Sequence, residues 1–323
     1  MNRRHTLILL SLLLLTVVLA VLDICLGNVV LSPFSPLSEV EHRILFSLRL
    51  PRMFTAILAG MALSLSGMLM QTLFRNPLAG PYILGVSSGA GLGVAILTMC
   101  TALGVAATGS FAIALAAIVG ANLVLLLVMA FARRVTSDVS LLIVGMMIGA
   151  VAGALVNVIQ NFANPDSLKL FIVWTLGSLS SVGWSELIIL AVLVSLGLLL
   201  CAGLVKPLNG LLLGENYAIG LGINVKRVRT LIVLATGLLS GAVTAFCGPI
   251  AFVGVAVPHI ARGVMKTSNH RLTMPASAVI GADLLLACDI LCNLGTYVLP
   301  ISTMSALFGA PIIVWIIVRG NKS

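Results

Sequence analysis

RLPRMFTAILAGMALSLSGMLMQTLFRNPLAGPYILGVSSGAGLGVA, residues 49–95, decides how the rest of the chain is read. Two arginines three positions apart, Arg49 and Arg52, precede a long apolar run dense in small residues. The run breaks at Arg75-Asn76-Pro77 and resumes after Gly80-Pro81 as a Gly/Ser-rich apolar segment. A water-exposed surface has little use for that pattern. In a bilayer it predicts one spanning helix, a short polar turn with two prolines, and a second, closely packed helix.

The composition points the same way. Hydrophobic residues make up 60% of the 323 positions and charged residues only 8%, far from the mix of a soluble domain. A hydrocarbon core about 30 Å thick needs roughly 20 helical residues per crossing, so the chain holds about ten spans. The expected spans are 6–27, 53–73, 82–100, 111–131, 139–160, 187–204, 230–246, a short eighth within 247–263, then 275–294 and 303–318. Residues 28–48 read as an outside loop, and 161–186 as an outside segment whose apolar middle forms an interfacial or re-entrant helix. The first apolar run is too long for a signal-peptide core and lacks a small-x-small cleavage site, so it reads as a span.

Charge placement orients these spans. With both termini in the cytoplasm, fourteen of the 18 Lys and Arg residues fall inside, and only Arg43, Arg49, Arg52 and Lys169 fall outside. The net charge of +9 therefore reflects membrane topology; the basic residues form no run interleaved with aromatics that would suit nucleic acid. Six cysteines lie in or at the ends of apolar segments, with no paired CxxC pattern. Neither a disulfide nor a metal site is expected.

The string RNPLAGPYILGVSSGAG resembles the signature of the FecCD-type permeases, the membrane subunits of ABC importers for cobalamin, haem and ferric siderophores. The later landmarks follow in the matching order, so the resemblance covers nearly the whole chain. It implies an all-α type II ABC importer permease fold of about ten transmembrane helices, with residues 1–323 as one integral membrane domain. It also implies a bacterial inner membrane location, a second copy of the chain, two ATPase subunits carrying ATP and Mg, and one periplasmic binding protein. No cofactor is expected on this chain, and none of its sequence matches GxxxxGK[ST], so ATP hydrolysis falls to a partner.

Site residues follow from the same resemblance. Arg49 and Arg52, one helical turn apart at a span mouth, match arginines that receive glutamates of the binding protein. Taken alone they also read as snorkelling anchors. The long polar stretch 206–229 matches the ATPase-coupling region, with Glu215, Ala218, Leu221, Gly222, Val225 and Arg227 as its candidate residues. Asn76 and Leu78 in the NPLA turn match gate positions, and Ser137 and Asp138 fall near a second one. Asn76-Pro77 also reads as a helix cap with proline at the first helical position. Gly145, Gly149 and Gly153 form a small-residue stripe that serves either helix packing or the pathway wall. His259 in PHxxR reads as a packing residue. Asn293 stands four positions after Asp289, where many relatives carry a third docking arginine, and NLGTYVLPI resembles the cobalamin-type members.

Two other classes compete. An ion-coupled carrier would depend on buried acids, here Asp283 and Asp289 with Asp23 at a span end. A membrane-embedded enzyme would need a His/Glu/Asp cluster at one interface, and the sequence holds none. The residues favour a transport subunit without its own ATPase site.

Overall fold

In the computed structural model, residues 3–27, 38–99, 109–132, 134, 138–295 and 298–320 are described. They form an all-helical molecule. Seven helices are long and apolar enough to cross a membrane, and three shorter apolar ones complete the ten expected crossings among the described residues.

The chain runs through α1 (Arg3–Cys25), α2 (Glu39–Ile44), α3 (Leu50–Leu73), α4 (Val86–Met99), α5 (Ser110–Ala132), α6 (Asp138–Asn161) and α7 (Pro165–Thr175). It continues through α8 (Trp184–Leu212), α9 (Glu215–Gly220), α10 (Val225–Cys247), α11 (Val253–Met265), α12 (His270–Cys292) and α13 (Ile301–Gly320). The short helix expected after the fifth span, interfacial or re-entrant, is α7, started by Asn164, whose Oδ1 accepts from the Ser167 amide.

The quoted stretch lies at the centre. Helix α3 is packed on by α8, α10, α11 and α12 at once, so 78% of its apolar window is buried, against 6% for the peripheral α1. Small residues make this possible. A Cβ on Gly60 would collide with the Gly281 backbone of α12, and one on Gly67 with Gly254 of α11. Backbones that touch gain dispersion contacts, which drive helix association in lipid where no hydrophobic effect operates between spans. The buried hydroxyls of Thr55, Ser66 and Thr72 donate to carbonyls of their own helix, so no polar group is stranded there.

Two expectations about loops are corrected. Residues 38–48 are not loop. Ser38 and Glu41 form a reciprocal capping box that starts a helix at Glu39, and a π-helical stretch, Leu45–Arg49, joins α2 to α3 without a break. The Ser-x-x-Glu signal stood in the sequence, overshadowed by the prolines before it. The polar stretch 206–229 likewise begins later than expected, because α8 runs on through Lys206 and Pro207 to Leu212. Pro207 is tolerated because a helix flanked by neighbours can re-satisfy one freed carbonyl.

The exposed apolar side chains need a solvent of their own. Leu10, Leu14 and Val17 on α1 and Leu123 and Leu126 on α5 stand half exposed or more, a density that water would not permit but lipid does. Two similar units recur along the chain. Helix α3 ends at the NPLA turn before a short helix, and α10 ends at Gly248-Pro249-Ile250-Ala251 before the short α11.

Candidate functional site

Three places gather polar chemistry: the Arg49 end of the bundle, the NPLA turn at the opposite end of α3, and the segment around α9.

At the first, α1, α3 and α12 meet. Arg52 donates through Nε to Asp289 Oδ2 at 2.7 Å and through Nη1 to Asn293 Oδ1 at 2.9 Å. Its Nη2 lies 3.8 Å from Asp23 Oδ1. Arg49, 8% exposed, donates to the Ile24 carbonyl. Two guanidinium groups thus face two carboxylates, Asp23 and Asp289, that are only 2% and 4% exposed. Burying an unpaired charge in a membrane is costly, and the close pairing of Arg52 with Asp289 lowers that cost. The sequence reads these arginines as docking residues or snorkelling anchors at a span mouth; in the fold Arg52 is held by Asp289 and Asp23 of two other helices, and Arg49 by the Ile24 carbonyl. Asn293 also donates from Nδ2 to the Asp289 carbonyl at 2.5 Å, which fixes the amide that accepts from Arg52.

The second place joins α3 to α11. Asn76 Oδ1 accepts from the Leu78 amide at 2.9 Å, which closes a turn; Asn76 does not cap a helix, and the next helical turn begins only at Pro81. Arg75 takes a left-handed φ of 46° to enter this turn. His259 Nε2 lies 2.8 Å from the Pro77 carbonyl and must donate, since a carbonyl only accepts. Gln71 donates to the Val255 carbonyl at 3.0 Å and accepts from Arg262 at 2.5 Å. The PHxxR run therefore clamps the end of α3 and its turn. Leu78, 45% exposed, projects outward from it. Nearby, His270 accepts or donates between Thr72 at 3.0 Å and Asn209 at 2.9 Å, tying α3, α8 and α12.

His259→Ala should free the Pro77 carbonyl at a cost of about 1 kcal/mol to the turn. A cysteine introduced at Leu78 should then react faster with a polar maleimide. An unchanged labelling rate would mean that Gln71 and Arg262 alone hold the turn.

The other sequence-named gate positions fare differently. Ser137 and the side chain of Asp138 lie outside the described residues. Gly145 and Gly149 are buried against the Ile83–Leu84 backbone and Gly85, a contact that serves helix packing; of the three, only Gly153 meets nothing within 4 Å. The exposed face of α6 carries Met146, Met147 and Val151 instead.

The third place is a compact bracket. Gly214, at φ 117°, opens α9 and Gly222, at φ 77°, closes it, so both need glycine. Ala218 is fully buried, its carbonyl accepts from Ile223 N at 3.0 Å, and Asn224 caps α10 through the Arg227 amide at 3.1 Å. Arg229 pairs with Glu215 at 3.0 Å, joining α10 to α9. Of the sequence-named residues, Glu215, Ala218 and Gly222 build the bracket, Val225 is half-buried, and Arg227 and Leu221 stand exposed. The sequence reading missed Leu213, Tyr217 and Ile219, which like Leu221 are apolar and more than half exposed. Their spacing around two glycines was the available signal.

The two acids that an ion-coupled carrier would use are otherwise engaged. Asp289 is bound to Arg52, and Asp283 shares a 2.5 Å hydrogen bond with Thr16 of α1. No group of three or more His, Cys, Asp or Glu is placed to hold a metal among the described residues.

A central helix packed on by α8, α10, α11 and α12, a clamped turn at one end and an exposed bracket beyond it define a polytopic helical transport permease. The chain belongs to the FecCD transport family, which matches residues 7–319. It is 36% identical to the vitamin B12 import system permease protein BtuC of Salmonella typhi, over 99% of this chain and 98% of that one. The BtuC protein of Salmonella enteritidis PT4 is similar to the same degree. A solved structure described as an inward-facing conformation of a metal-chelate type ABC transporter superposes with a TM-score of 0.88 at 30% identity, covering 97% of this chain and 99% of that one. PsaBC of Streptococcus pneumoniae, solved with a Fab, shares the fold alone, with a TM-score of 0.55 at 16% identity over 85% and 92% of the two chains. The chain is thus a multi-pass permease subunit of an ABC importer of the metal-chelate type, which acts with an ATPase and a binding protein.

Proposed function

We propose that this permease imports a corrinoid of the vitamin B12 type and that the full chain acts as one domain in a homodimer. The observation that carries the cargo is the 36% identity to vitamin B12 permeases over 99% of the chain. Asn293 in place of a docking arginine, bonded to Arg52, supports it.

The Lys and Arg bias sets both termini in the cytoplasm, so the Arg49–Arg52 end faces the periplasm and receives the binding protein. Arg52 keeps 15% of its side chain exposed, enough for a partner carboxylate to share a guanidinium already held from below. The exposed apolar side chains of Leu213, Tyr217, Ile219 and Leu221 around α9 enter a groove of the ATPase. The Arg229–Glu215 pair passes its movement to α10, which packs on α3. The turn at Asn76 and Leu78, clamped to α11, closes the cytoplasmic end. Substrate selection rests with the binding protein, and alternating access follows from tilting of the spans.

Leu221→Asp should weaken ATPase association about thirty-fold without disturbing the fold, because a contact worth about 2 kcal/mol is lost from an exposed position. Co-purification yield reads this directly, and an unchanged yield would move the coupling site elsewhere. The cargo is tested by uptake into proteoliposomes that hold the permease, its ATPase and its binding protein. ATP-dependent accumulation of cyanocobalamin in preference to haem or a ferric siderophore is expected. Preference for either of the other two would overturn the corrinoid reading and leave the importer class standing.

A further inference from the structure

Helices α4 and α5 meet along glycines. A Cβ on Gly93 would strike the Ala116 carbonyl, and one on Gly120 the Gly89 carbonyl, so the two backbones touch. Side chains to either side stand above this seam and leave a trough of about 790 Å³, floored by the three glycines and walled by Leu92, Leu123 and Leu127. Its lining is almost wholly hydrocarbon. It follows α5 from Ala112 to Leu127, about 22 Å at 1.5 Å per residue, which exceeds the roughly 15 Å of hydrocarbon in one leaflet.

The trough does not end blind. Leu127 also lines a second hollow of about 480 Å³, whose other walls are Ala130, Phe131 and Arg134. Arg134 is exposed just past the end of α5 and pairs with no carboxylate among the described residues. An apolar channel as long as an acyl chain thus opens onto a guanidinium at the level where α5 leaves the membrane.

We propose that this trough binds one anionic phospholipid, with an acyl chain laid along α4–α5 and its phosphate on Arg134. A guanidinium recognises phosphate oxygens through paired N–H donors. A net-negative headgroup is preferred over phosphatidylethanolamine because the ammonium of the latter would sit beside a guanidinium that has no carboxylate partner among the described residues. A lipid is favoured over a protein segment because it brings both a chain for the apolar trough and an anion for Arg134. The lipid braces α5, which also packs on α6 and α10, to one leaflet. This site is independent of the cargo.

The test uses the permease–ATPase complex in nanodiscs of equal phosphatidylglycerol and phosphatidylethanolamine, released into mild detergent and read by native mass spectrometry. Phosphatidylglycerol should be retained roughly five-fold over phosphatidylethanolamine, the ratio equivalent to about 1 kcal/mol for one arginine at the surface. Arg134→Gln should bring the two lipids to parity. Leu123→Trp, which fills the trough from a position already 57% exposed, should abolish retention of both, while Leu126→Trp, 58% exposed but outside the trough, should leave it intact. Equal retention by the unaltered complex, or a preference that survives Arg134→Gln, would overturn the proposal. So would disulfide formation between copies carrying Leu123→Cys, which would show the trough covered by a second chain.

Discussion

Gly67→Ala should leave almost no folded permease, although it adds a single methyl group. That methyl would overlap the carbonyl, carbon and Cα of Gly254, all backbone atoms that no rotamer change can move aside. Helices α3 and α11 would have to separate along their whole contact, and α11 carries the clamp on the NPLA turn. The cost should exceed the ~1–3 kcal/mol usual for overpacking, and gel filtration after mild extraction should show aggregate in place of a monodisperse peak. Gly60→Ala should behave in the same way against Gly281. Gly153→Ala and Gly203→Ala meet nothing within 4 Å and should be silent. A monodisperse Gly67→Ala protein with an unchanged melting temperature would show that the central packing is looser than described.

Arg52→Glu should be nearly as damaging, for an electrostatic reason. It would place a third carboxylate against Asp23 and Asp289, both almost wholly buried, with only Arg49 left to balance them. Breaking a buried pair costs about 3–5 kcal/mol, and a charge reversal costs more. The expected readout is a fall in melting temperature that is largely recovered when Asp289→Asn is added. Charge reversal at this position therefore cannot by itself report on docking of a binding protein, since it removes the fold along with the contact. Reversing the acids on the binding protein avoids that confusion. If Arg52→Glu instead melts normally and only loses stimulation by the binding protein, the arginine is a docking residue with little structural duty.

Much of this was legible in the residues. Composition, span length and charge bias settled the helical membrane class and its ten crossings, because lipid leaves a chain few options for its backbone polar groups. The NPLA string and the order of later landmarks carried the family. The capping box at Ser38 was equally local and could have been read, since all its atoms lie within one helical turn. The bracket around α9 falls within the polar stretch 206–229 singled out in the sequence, and its glycines and Asn224 act on their immediate neighbours.

Partners distant in the chain were decided only by the tertiary structure. Arg52 lies 237 positions from Asp289, and His259 lies 182 from Pro77, so no spacing in the sequence announces either pair. Arg49 and Arg52 read as surface cations because local sequence reports charge and periodicity, not which helix arrives beside them. The glycine stripe of α6 was ambiguous for the same cause: a small residue permits close approach, but only the fold says whether a backbone or an open cavity occupies the space. The sequence by itself determined the solvent and the number of crossings, through terms that add residue by residue. Which charges are neutralised, which glycines are touched and which face is left bare depend on three-dimensional neighbours, and those the folded bundle alone supplies.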